Sequence, residues 1–204
     1  MKIGHIAIIF NSVGICLTLL IMLYAKRFEP SVIGLFMPPA TPPYPTAGFL
    51  THTFQLLCCI PPVICAFTFS FLKKISPQHK NLNFLLGSSL ITSAFLMNEI
   101  YRIHIIFLYF NIPKIITIQV YAIIMLIYFF VFWKDLKQTP YHIIIISVIL
   151  LFLAIIADSL FLRGVIYNPL IEGLPKLFSG LNYALYYWII GYQELHNSWV
   201  NRKS

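Results

Sequence analysis

The run HIAIIFNSVGICLTLLIMLY, residues 5–24, contains no Asp, Glu, Lys or Arg. About 20 such residues are what an α-helix needs to cross the hydrocarbon core of a bilayer, at about 1.5 Å per residue. Similar stretches follow at about 47–72, 82–109, 113–133, 141–162 and 172–195. In lipid a single segment satisfies its own backbone only as a helix. The expectation is an all-α integral membrane protein, a six-transmembrane-helix bundle forming one transmembrane domain over residues 1–204.

Composition supports the class. Hydrophobic residues make up 59% of the chain and charged residues 10%, against about 25% charged in soluble domains. The net charge of +8 does not point to nucleic acid, because the basic residues stand singly or in small groups between apolar runs and form no basic stripe. Flanking Lys and Arg on membrane helices explain it. Cys16, Cys58, Cys59 and Cys65 fall inside apolar runs without a C-x-x-C spacing and read as buried thiols. The first apolar run exceeds a signal-peptide core of about 7–15 residues, and no small-x-small cleavage site follows it. It reads as a retained first helix.

The breaks between runs have local causes. FMPPATPPYP holds five prolines in ten residues and cannot be helical, so 25–46 is expected to be a proline-rich external loop. KKISPQHKN and KDLKQTP are short charged turns, and NIP at 111–113 ends the third run. Pro61 and Pro62 are expected to kink the second helix, and Pro175 to set off an outer re-entrant or interfacial piece before the last span. Six spans place both termini on one side. That side holds Lys2, Lys73, Lys74, Lys80, Lys134, Lys137, Arg202 and Lys203, and the other holds Lys26, Arg27, Arg102, Lys114, Arg163 and Lys176. The excess favours cytoplasmic termini, in a plasma (inner) membrane.

The polar residues then sort by depth. Glu99 lies about 25 Å along a helix that starts near residue 82, in the outer part of the core. His52, Lys114, Asp158, Glu172 and Lys176 reach the same level from other segments. They also sort by face. Ser88, Thr92, Phe95, Glu99 and Arg102 form one stripe, and Glu172, Lys176, Ser179, Tyr183 and Tyr186 another. Ser147, Ala154 and Asp158 share a side of the fifth run. Such stripes face the bundle interior or a wet cavity. His104 points elsewhere unless the helix bends or unwinds near Arg102.

Glu99, Arg102, Asp158, Glu172, Lys176, His52, Lys114 and Tyr183 are therefore the candidate substrate-binding or proton-relay residues. Arg102, Lys114 and Lys176 would attract a small anionic or zwitterionic solute, and the carboxylates would balance them or carry protons. The leading function is small-solute or ion binding and translocation, with a protein partner or as a homo-oligomer. One alternative is a membrane-embedded enzyme, metal-dependent or lipid-directed, using the same cluster. Another is an accessory or assembly subunit, in which Glu99–Arg102 and Glu172–Lys176 are structural ion pairs. His52, His104 and Glu99 are weak metal-ligand candidates, since no compact H-x-x-x-H or E-x-x-H spacing occurs. The cofactor is left open: a bis-His haem held by His52 and His104 or by His5 and His142, and a quinone, carotenoid or other apolar ligand among the aromatic residues, are weaker alternatives. The layout is similar in size and topology to the substrate-binding subunits of energy-coupling-factor vitamin transporters, although their A-x-x-x-A docking pattern is absent from the first helix.

Overall fold

The computed structural model describes residues 3–27, 32–36, 46–159 and 168–201. Among these the secondary structure is helical throughout. The elements are α1 (Ile3–Lys26), a 3₁₀ turn (Val32–Phe36), α2 (Phe49–Ile75), α3 (Leu82–Tyr101), α4 (Ile103–Tyr109), α5 (Lys114–Val131), α6 (Trp133–Lys137), α7 (Tyr141–Ser159) and α8 (Asn168–Asn201). Four helices are long and apolar enough to cross a membrane: α1, α2, α3 and α7 through Asp158. Helix α5 is apolar but shorter, and α8 is longer but more polar. The chain is a helical membrane protein. The prolines expected to form an external loop, Pro38 to Pro45, lie outside the described residues.

Several boundaries differ from expectation. The run 82–109 is not one helix, because Arg102 adopts a left-handed conformation (φ 49°, ψ 49°) that caps α3. The chain restarts at once as α4, with Ile105 N donating to Arg102 O at 2.7 Å. A second left-handed residue, Asn111 (φ 60°), precedes α5. Pro175 lies inside a continuous α8 rather than setting off a separate piece. Pro61 and Pro62 likewise do not end α2, and both are buried. Ser89 Oγ donates to Pro62 O at 3.3 Å.

The chain forms two compact units. The first comprises Met1–Leu57 and His142–Leu185, the second Cys58–Tyr141 and Tyr186–Ser204. In the first, close helix approach is made by small and polar residues. Asn11 and Asn182 exchange reciprocal amide hydrogen bonds, Nδ2 to Oδ1 at 2.9 Å in each direction. Each amide also donates to a carbonyl one turn back, Ala7 O and Phe178 O, at 2.8 Å. Ser147 Oγ donates to Ser179 O, and Ser179 Oγ returns a bond to Ser147 O, both at 2.8 Å. Gly180 sits against the ring of Phe54, and Phe54 is only 3% exposed. Small residues let backbones approach, and polar side chains then bond across the gap, which is how helices associate where no hydrophobic drive exists between them.

The second unit is centred on aromatic hydroxyls. Ser88 Oγ and Tyr128 OH are 2.6 Å apart, and Tyr128 OH lies 3.5 Å from Tyr187 OH. Phe84 stacks on Tyr128 and meets Phe132 edge-on. Gly191 faces Ile64 and Thr68 of α2. Ser88 and Thr92 are fully buried, as the stripe along α3 required. The cysteines are all free. Cys58 and Cys65 are buried and Cys59 half-buried, but Cys16 is exposed on α1 rather than buried.

Candidate functional site

The end of α3 concentrates unusual features. Glu99 is half-buried and is not without an interaction partner. The adjacent Asn98 has a buried side-chain oxygen with no hydrogen-bond partner. Three residues beyond Glu99, Arg102 holds its left-handed backbone with an exposed side chain. A non-glycine residue in that region costs about 1–2 kcal/mol. The helix therefore does unwind at Arg102, the condition on which His104 could turn toward Glu99. The side chains of His104 and Lys114 lie outside the described residues.

The other candidates belong to the first unit. His52 is exposed, with Nδ1 3.2 Å from Gln55 Oε1. Lys176 Nζ sits 5.0 Å from the centroid of Phe54, a cation–π contact. Asp158, Glu172 and Tyr183 are half-buried. Arg102 and Glu172 make no ion pair among the described residues, so neither Glu99–Arg102 nor Glu172–Lys176 forms. Among the described residues no three His, Cys, Asp or Glu side chains gather to hold a metal ion. His52 and Glu99, two of the weak metal-ligand candidates, lie in different units.

A polar cavity of about 550 Å³ occupies one end of the second unit, and none of the candidate residues lines it. Its walls come from the turn before α3 (His79, Lys80, Asn81), from α6 and the turn after it (Asp135, Gln138, Thr139), and from the last turns of α8. Glu194 ties two walls together. Its Oε1 accepts a hydrogen bond from Asn81 Nδ2 at 2.7 Å, and its Oε2 lies 3.5 Å from His79 Nε2. Lys80 Nζ donates to Gln138 Oε1 at 2.9 Å. Thr139 Oγ1 lies 3.0 Å from the OH of the buried Tyr186. Asn81 Oδ1 is buried without a partner.

Residues 79–81 read in the sequence as part of a short charged turn and 193–195 as the end of the last span, so the cavity was not foreseen. One signal was available. Ile190, Gln193, Glu194 and Asn197 recur at helical spacing, so the polar face that lines the cavity runs past the expected end of the span at 195.

No curated protein and no solved structure matches this chain. A family model described as a domain of unknown function (DUF8692) matches residues 10–187, from α1 to beyond the middle of α8, and the chain belongs to that family.

Proposed function

We propose that the protein binds a small polar solute or ion within the membrane and moves it across. The observation that carries this reading is the end of α3. There a half-buried carboxylate and an unpartnered buried amide oxygen stand immediately before a left-handed arginine that interrupts the helix. Ionisable groups in membrane helices are costly and mark solute or proton pathways. Discontinuous helices whose ends present backbone dipoles are how transporters build such sites, and strained backbone collects where function requires it. Lys114, of the same unit, is proposed to complete the site, which takes an anionic or zwitterionic solute, while His52, Asp158, Glu172, Lys176 and Tyr183 of the other unit are proposed as solute-binding or proton-relay residues in their own right. The proposal includes six spans with cytoplasmic termini in the plasma membrane, and an oligomer or protein partner.

The test uses purified protein in liposomes containing a pH-sensitive dye, challenged with amino acids, dicarboxylates and inorganic phosphate in turn. One class is expected to drive dye-reported flux. Glu99→Gln should abolish the proton component, and Arg102→Gly, which keeps the backbone conformation but removes the charge, should weaken solute dependence about tenfold. Absence of flux with every class would reject transport. Flux that survives Glu99→Gln with Arg102→Met would reject this site.

A further inference from the structure

The cavity in the second unit is built independently of the α3 break, and its lining carries two carboxylates, one lysine and two histidines. Two basic residues close in sequence to the lining residues are held on aromatic rings. Lys73 Nζ lies 5.5 Å from the centroid of Phe69 and Lys137 Nζ 4.8 Å from that of Trp133. Lys80, the one lysine in the lining, is bonded to Gln138. By contrast, two of the chain's six carboxylates, Asp135 and Glu194, line the cavity.

The acceptors of the lining residues are incompletely satisfied. Glu194 is shared between Asn81 and His79. The side chain of Asp135 has no hydrogen bond or ion pair among the described residues. Asn81 Oδ1 is buried with no donor, although its own amide group is used on Glu194. A carboxylate without an ion pair at the lining favours an occupant that brings charge and donors. Gln193 and Asn197 add adaptable amides, and the ring of Phe84 adds an apolar surface.

An anion would meet two carboxylates and gain little. A hard divalent ion would want six or more oxygen ligands, and among the described residues no three acidic, His or Cys side chains gather closely enough to hold a metal ion. A primary ammonium, with one positive charge and three donors, matches a lining carboxylate without an ion pair and the amide oxygens of Gln193 and Asn197 beside it. The volume lies within the range of about 300–1,000 Å³ usual for small-ligand sites.

We propose that this cavity binds a primary ammonium group, carried either by a small soluble amine or by the headgroup of an aminophospholipid. The full-length protein is placed in nanodiscs of phosphatidylcholine and phosphatidylglycerol, which present no primary amine. Calorimetric titration and thermal unfolding then compare ethanolamine with ethylene glycol, its uncharged counterpart of similar size. A parallel set of discs contains phosphatidylethanolamine.

Ethanolamine is expected to bind and stabilise the wild type while ethylene glycol does not. Asp135→Asn should weaken ethanolamine binding at least tenfold without lowering the ligand-free unfolding midpoint. Stabilisation only in the phosphatidylethanolamine discs, lost in Asp135→Asn, would support the ammonium site and assign it to lipid. Equal binding of ethanolamine and ethylene glycol, unchanged binding in Asp135→Asn, or no stabilisation by either amine source would each overturn the proposal. The comparison of ethanolamine with ethylene glycol on the wild type needs no variant, so it holds even if Asp135→Asn fails to fold.

Discussion

Polar side chains are finished differently in the two units. In the first, Asn11 meets Asn182 and Ser147 meets Ser179 in reciprocal pairs, and each amide also donates to a carbonyl on its own helix. In the second, Glu194 draws Asn81 and His79 together but leaves Asn81 Oδ1 orphaned at the wall of a cavity. Without water, a polar group that is fully paired holds helices together and has little left to offer a ligand. One that is partly paired retains a reason to bind something. The difference separates architecture from recognition more sharply than residue type does.

The largest effect should come from breaching the tight packing of the first unit. A Cβ at Gly180 would stand 2.7 Å from Phe54 Cδ2, and Phe54 has no exposed space to move into. Gly180→Leu should destabilise by about 3 kcal/mol, the upper part of the usual overpacking range, read as a shift in detergent-driven unfolding. Gly4, with nothing within 4 Å of its would-be Cβ, provides the control, and Gly4→Ala should be close to neutral. If both glycines tolerate substitution equally, the close-packed account of this unit is wrong.

Next in size is the amide pair. Asn182→Leu should cost about 1–2 kcal/mol. Adding Asn11→Leu should cost less than a second increment of that size, because the first change has already removed the shared bonds. Strict additivity in the double-mutant cycle would mean that the pair does not couple α1 to α8.

In the second unit, Glu194→Gln should cost less stability, about 1 kcal/mol, because the end of α8 keeps its other contacts. It should nevertheless weaken ethanolamine binding at least tenfold. A large loss of stability with unchanged binding would reverse the contrast between the units. The smallest effect is expected at Ser89→Ala, which removes only the long bond to Pro62 O. About 0.5 kcal/mol is expected, near the average for polar contacts between membrane helices. A loss several times larger would show that the prolines of α2 depend on that bond.

The helices most legible in the sequence were those whose boundaries depend on length and hydropathy. Helices α1, α2 and α7 cover the apolar runs that begin at residues 5, 47 and 141. The burial of Ser88, Thr92, Ser147 and Ser179 followed from spacing, because residues three and four apart share a face whatever surrounds them. The break at Arg102 was harder to read. The usual sign of a left-handed cap is glycine, and arginine gives none. The continuity of α8 through Pro175 was obscured for the opposite reason, since a proline one turn into the expected span looked like a boundary.

What the sequence determined by itself was the solvent. Apolar runs of spanning length, with few charges, can satisfy their backbone in lipid only as helices, and that follows from local chemistry without knowledge of any partner segment. Which polar groups pair, and which are left open, was decided only by the tertiary structure. Asn11 finds Asn182, and Asn81 finds Glu194 beside a cavity that Asp135 also lines, across separations of a hundred residues or more for the two bonded pairs. No spacing rule reaches that far, because those meetings depend on how helices pack rather than on how any one helix turns.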